Sequence, residues 1–391
     1  MKKIFRKLHL WLSVPFGLII SIICLTGAIL VFETELMELC YHDRYYVEQA
    51  GNEPLTPEVL LGKVSATLPD SVSTTGINIP TNPERAWSVG ISQPLRASVL
   101  IDQYTGEVKG VHKKTPFFSF VIRMHRWLLD GIKPGGGMSV GKTIVGVSTL
   151  IFVFILITGI VTWVPRSYKA LKKRLKISVD KGWRRFWYDL HLAGGMWMVI
   201  VLLALSLTGL TWSFAWYRTG FYKVFGAETP QGHHNRQSKE KKDDKASRQE
   251  TGKPKREGRE GRQEKATLDA SNWQAVYDRI SKMNPEYKQI SISDGSVSVS
   301  FTKWGNQRAA DRYTFNPQSG EIEEISLYKD QDKSGKVRGW IYSVHVGSWG
   351  GWLTKIITFI AALVGAALPI TGYYFWIRKA IKKKKRHHSS V

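Results

Sequence analysis

The chain has 391 residues, of which 43% are hydrophobic and 23% charged, and it carries a formal net charge of +24. That length admits more than one domain, and that composition suits a chain with both membrane-spanning and aqueous parts. The basic excess is not a nucleic-acid footprint. Twenty of its members flank apolar runs: Lys2, Lys3, Arg6 and Lys7, nine residues between Arg166 and Arg185, and seven between Arg378 and Arg386.

Four apolar stretches, at about 10–32, 142–164, 192–216 and 353–377, are long enough to cross a bilayer. The first follows a basic start, as a secretory signal does. Its core is too long for one, and Glu33-Thr34-Glu35 stands where a small-residue cleavage site belongs, so it reads as a retained anchor. The basic segments then fix the topology, with both termini and the 166–186 loop cytoplasmic. The resulting order is a first span (1–33), an extracytoplasmic α+β domain (34–120), an interfacial helix and second span (121–165), the basic loop (166–186), a third span (187–217), a second α+β domain (218–340), a fourth span (341–378) and a basic tail (379–391). Cys24 within the first span and Cys40 beyond it are too far apart along a helix to bridge.

In the first aqueous domain, Thr56-Pro57-Glu58 opens a helix, and alternating residues predict strands at 86–91 and 97–102 before a turn at Tyr104-Thr105-Gly106. The second repeats that order, with a helix over 273–283, strands at 289–292, 297–302 and 312–316, and a turn at Gln318-Ser319-Gly320. Residues 233–266 hold no aromatic and almost no aliphatic side chain, the composition of a disordered insertion. The whole reads as a tandem repeat of span, domain, span. Its fold class is a four-helix membrane bundle carrying two α+β domains.

The repeat is sharpest in the first and third spans. Leu8-His9-Leu10 begins the one and Leu190-His191-Leu192 the other, and a Thr-Gly pair follows each histidine seventeen positions on. That spacing is about 25 Å of helix, most of a bilayer core. A second related pair, His125 and His345, follows an aromatic residue by five positions at the outer ends of spans two and four. One interfacial imidazole is readily satisfied by a carbonyl; four at repeat-related places point to ligation. Pairing across a twofold axis along the membrane normal sets His9 opposite His191 and His125 opposite His345, as axial ligands of two haem irons. Neither pair has the cysteines or carboxylates a zinc tetrahedron needs. Arg123, Arg126 and Arg338 stand near the outer pair and suit haem propionates or an anionic substrate, or serve as interfacial anchors.

The string from Gly136 to Thr143 satisfies G-x4-G-K-T, yet it leads into a span rather than joining a strand to a helix, so nucleotide binding is not expected. No flavin or nicotinamide fingerprint appears, which leaves the electron donor to a cytoplasmic protein or the quinone pool.

The LHLWL…LTG pattern and its copy, with the HRWLLDG and VHVGSWGGW segments and the two small domains, resemble the PepSY-associated transmembrane proteins, closest to the iron-regulated, siderophore-reductase branch. The resemblance implies a bacterial inner-membrane protein with b-type haems on His9, His125, His191 and His345 that reduces ferric siderophores on the outside. Residues 192–197, Leu-Ala-Gly-Gly-Met-Trp, depart from the first copy, so packing around His191 is expected to differ. The competing functions are a membrane-tethered PepSY module that restrains a peptidase, and a component that transports siderophore or iron. So few ionisable groups lie inside the spans that a polar transport path is poorly supplied.

Overall fold

The structure, a computed structural model, describes residues 1–51, 53–131, 139–229 and 268–388. The 233–266 insertion and the first three residues of the G-x4-G-K-T string lie outside them. Four helices are long and apolar enough to cross a membrane: Lys2–Val31, Val140–Trp163, Trp183–Ser213 and Gly351–Ile381. Each overlaps nearly all of one of the apolar stretches read from the sequence. The first packs along the second and fourth, and the third along the same two. Ile20, Phe152, Ile155, Leu156, Val199, Leu202 and Ala361 form their common core. Small residues bring the backbones together. A Cβ on Gly365 would stand 2.9 Å from Leu202 and 3.1 Å from the Cys24 sulfur.

The connecting segments build a single antiparallel sheet in the order β4-β3-β2-β1-β5-β6-β7-β8. The strands are β1 (Thr74–Pro80), β2 (Trp87–Ile91), β3 (Ser98–Ile101), β4 (Val108–His112), β5 (Gln289–Ser293), β6 (Ser296–Ser300), β7 (Ala310–Phe315) and β8 (Ile322–Ser326). Strands from residues 74–112 and from residues 289–326 are thus joined edge to edge. At the seam Ile77 lies opposite Ile292, Asn78 opposite Ser291 and Ile79 opposite Ile290. The join leaves neither meander with a bare edge at its β1 or β5 side, which is the physical reason for one sheet rather than two.

Alternation decides what each face does. Ile77 and Ile79 of β1, Trp87, Val89 and Ile91 of β2, Ile290 and Ile292 of β5, and Val297 and Val299 of β6 point to one side. There they meet two helices, Pro57–Thr67 and Trp273–Met283, in one core around a fully buried Trp273. Thr56 caps the first helix by accepting from the Val59 amide, and Glu58 ties the two together by accepting from the Gln274 amide at 2.7 Å. On the four central strands the opposite face carries Asn78, Ser88, Gln289, Ser291 and Ser298, uncharged and polar, turned away from that core.

Two amphipathic helices, Pro116–Trp127 and Lys333–His345, carry the chain from the sheet back to spans two and four. Sheet and bundle are clamped by Lys114–Glu33 at 3.3 Å, by the Arg85–Glu38 ion pair, and by the Gly305 amide donating to the Trp349 carbonyl at 2.7 Å, while the Lys355–Glu35 pair ties the fourth span to the end of the first. The Ser139 hydroxyl caps span two. Gly141 within the G-x4-G-K-T string packs so tightly on the preceding helix that a Cβ would lie 1.8 Å from the Trp127 carbonyl. That glycine is explained by helix packing.

Candidate functional site: four clamped imidazoles

Each of the four histidines docks on a Thr-Gly pair in a different helix. His125 reaches span one, where its Nδ1 lies 2.9 Å from the Ile23 carbonyl and 3.2 Å from Thr26 Oγ1. His9 reaches span two in the same way, 3.1 Å from both the Ile155 carbonyl and Thr158 Oγ1. His345 reaches span three, 3.1 Å from the Leu205 carbonyl and 3.2 Å from Thr208 Oγ1. His191 reaches span four, 2.8 Å from Thr371 Oγ1, with the Leu368 carbonyl its backbone acceptor.

The tautomer follows from these contacts. Each threonine hydroxyl donates to carbonyls of its own helix: Thr26 to Ile22 and Ile23, Thr158 to Ile155, Thr208 to Ala204 and Leu205, Thr371 to Ala367 and Leu368. Having spent its proton, the hydroxyl oxygen accepts, and so does the carbonyl three residues before it. Nδ1 must therefore carry the ring proton, and Nε2 presents a lone pair. All hydrogen bonds of these four rings among the described residues run through Nδ1. An imidazole fixed at one nitrogen and open at the other is the arrangement a metal ligand requires.

The glycine next to each threonine gives the ring its seat. A Cβ would lie 3.1 Å from His125 Cε1 at Gly27, 3.0 Å from His345 Cε1 at Gly209, 3.5 Å from His9 Cε1 at Gly159 and 3.7 Å from His191 Cε1 at Gly372. In the third span the histidine sits in a π-helical turn, Leu190–Gly194, that runs into the segment where the sequence departs from the first span. Gly194 admits the Leu190 side chain there, which a Cβ would meet at 2.9 Å.

His125 and His345 face one another with ring centres 6.2 Å apart and planes inclined by 52°. Two rings that share one metal ion through bonds of about 2 Å have centres about 6 Å apart, so the pair fits a shared ion. Trp212 packs edge-on against His345 at 4.9 Å. At the far end of the bundle from the sheet, His9 and His191 lie within electrostatic reach of one another. No group of three or more histidine, cysteine or acidic side chains is placed for a metal among the described residues. The donor set of two imidazoles suits a metal that brings its own equatorial ligands.

Between the outer pair and the polar face of the sheet lies a cavity of about 1290 Å3, walled by His125, His345, Arg126 and Arg338 among others. The Arg126 guanidinium lies 4.5 Å from the Trp127 ring. Arg123 points elsewhere and donates to the Leu129 carbonyl at 3.3 Å, holding the end of its own helix. The sequence reading missed Thr158-Gly159 and Thr371-Gly372. They repeat Thr26-Gly27 and Thr208-Gly209 in the two remaining spans, and that fourfold recurrence was the available signal.

Fold and site together define a class: a four-span membrane protein whose bundle holds clamped imidazoles beneath an antiparallel sheet. The chain belongs to the PepSY-associated TM region family, whose model matches residues 6–379. No curated protein matches it.

Proposed function

We propose that this protein is a transmembrane electron carrier of the bacterial inner membrane. In this reading it holds two b-type haems and reduces a ferric chelate, of the siderophore class, on the sheet side. Both termini are then cytoplasmic, and the bundle and sheet derive from a duplicated span–domain–span unit with PepSY-like domains. The observation that carries the reading is the fourfold clamp, which gives every histidine the same tautomer and leaves every Nε2 open.

When bound, a haem supplies reversible one-electron exchange. The chain's own part is to bind and orient. His125 and His345 are ligands on the sheet side, and His9 and His191 on the opposite side. The threonine and carbonyl acceptors hold each ring and raise its basicity. Arg126, beside a ligand and at the cavity wall, is placed for a propionate. Arg338 shares that wall, whereas the guanidinium of Arg123 is already engaged. The donor on the opposite side is a cytoplasmic protein or the quinone pool. Reduction releases iron because hard oxygen donors hold the ferric ion far more tightly than the ferrous ion.

The absorption spectrum of protein purified from haem-replete cells tests this. A b-type spectrum that sharpens with dithionite is expected, with His9→Ala or His191→Ala removing one component and His125→Ala or His345→Ala the other. Colourless protein overturns the reading and leaves the sheet, as a tethered binding module, the functional part.

A further inference from the structure

The cavity between sheet and bundle is strongly one-signed. Nine basic side chains line it against two carboxylates, Glu33 and Glu38. Both carboxylates are spent on Lys114 and Arg85, and Lys355 is paired with Glu35. Arg96, Arg126, Arg308 and Arg338 have no carboxylate within ion-pair distance among the described residues. Arg96 and Arg126, one on the β2–β3 loop and the other beside His125, lie within electrostatic reach of each other. Arg96 has a φ of 67°, the left-handed backbone with which the β2–β3 connection turns. Arg308 is seated 3.6 Å over the Tyr342 ring, three residues before His345. Unpaired guanidiniums converging on one cleft focus a positive potential there.

The other walls narrow the ligand further. The roof offers uncharged hydrogen-bonding groups from Asn78, Ser88, Ser98 and Gln289. The floor, with Ile20, Ile23, Leu30, Phe152 and Leu202, is apolar and runs into the bundle beside the His125–His345 pair, the part a haem would fill. We infer that the sheet side of this cavity, above the His125–His345 pair, is the chelate-binding site and that it selects anionic, oxygen-donor chelates, of the tris-catecholate kind, over neutral tris-hydroxamates. Guanidinium forks match the negative oxygens at the edge of such a complex, and the roof hydrogen-bonds its carbonyls. The inference rests on the reductase reading, and it sets Arg96 and Arg308 as specificity residues distinct from Arg126.

Gallium(III) chelates test it separately, because gallium accepts no electron under these conditions. The purified full-length protein is titrated with a triply anionic gallium tris-catecholate and with a neutral gallium tris-hydroxamate of similar size. The anionic chelate is expected to bind at least about tenfold tighter, with a preference that shrinks as salt screens the charges. The double substitution Arg96→Gln, Arg308→Gln should cut anionic binding about tenfold and leave neutral binding unchanged, while Arg96→Lys, Arg308→Lys keeps most of the preference. Both arginines are exposed, so neither change removes core packing. Equal affinity for the two chelates, or undiminished anionic binding in the glutamine double variant, overturns the inference. Selective gallium binding without reduction of the matching ferric chelate upholds the site and sinks the reductase reading instead.

Discussion

A threonine hydroxyl that donates within its own helix and accepts from an imidazole is a small device, and it makes the ring proton's position a property of the fold. Thr208→Val keeps the volume and removes the acceptor, leaving the Nδ1 proton of His345 only the Leu205 carbonyl. The expected cost is about 1 kcal/mol of stability, with weakened cofactor retention at the outer site and none at the inner, measured by thermal unfolding and by the spectrum. Gly209→Ala acts through space: its methyl would press the His345 ring at 3.0 Å, so the outer component should be lost while the inner one stays. A spectrum unchanged in both variants would dismiss the clamp. Another histidine gives a pH signature. His112 meets the Tyr45 hydroxyl at 2.6 Å, and burial holds its pKa below the ordinary 6.5. A depressed histidine pKa means the unfolded chain binds the proton more readily, so its contribution is present above pH 6.5 and lost as pH falls below it. His112→Gln should therefore flatten the loss of thermal stability on acidification, a difference readable by scanning the unfolding midpoint of both proteins against pH. At this scale much was legible. His9, His125, His191 and His345 stand out as repeat-related imidazoles at the edges of apolar spans, and the structure sets the rings of His125 and His345 facing one another. The partners were less visible, because Thr-Gly in a span reads equally as helix packing until something is seen to lean on it.

Among the elements, the seam between β1 and β5 does the most for the sheet domain. Ile77 and Ile292 face each other there, both nearly fully buried. Ile77→Ala should cost about 2–5 kcal/mol, which chemical denaturation of the purified protein would read. A cost below about 1 kcal/mol would mean that the seam is loose. The Trp273–Met283 helix was read to the residue, because its apolar positions recur at helical spacing and its core face is unambiguous. Strand β1 went unread. Gly76 and Pro80 weaken its propensity, and nothing local announces that it lies at the centre of an eight-stranded sheet. Which strands pair across 200 residues of intervening chain is decided by tertiary packing, and no periodicity records it. The π turn at His191 was foreshadowed only as altered packing, since a wider turn leaves the apolar pattern nearly unchanged.

At the level of the whole molecule, charge and the two native cysteines make orientation measurable. Cys40 is exposed just past the first span on the sheet side, and Cys24 sits within that span against Gly365. A membrane-impermeant maleimide applied to spheroplasts should label one thiol per chain, and Cys40→Ser should abolish the labelling. Labelling that requires broken membranes would turn the topology over. The number of spans was plain in the sequence because lipid demands long unbroken apolar runs. The cavity beneath the sheet was not, because its walls come from the first span, the β2–β3 loop, the loop after β6 and the Lys333–His345 helix, which no sequence window contains together.

The wiring of the clamps has a consequence for biogenesis. His9 and His125 each lock onto a helix from within residues 1–165, and His191 and His345 onto helices from residues 183–381. Each half of the chain can therefore fix its own rings as soon as its two spans meet. Yet His125 finds the ring opposite only in His345, which is made some 220 residues later. During synthesis the first half waits in the bilayer with two imidazoles already set at the right tautomer and no counterpart. On the proposed reading, haem loading on the sheet side is a late event that waits for His345, and a ribosome that stalls before that residue leaves a half-molecule with His125 unpaired.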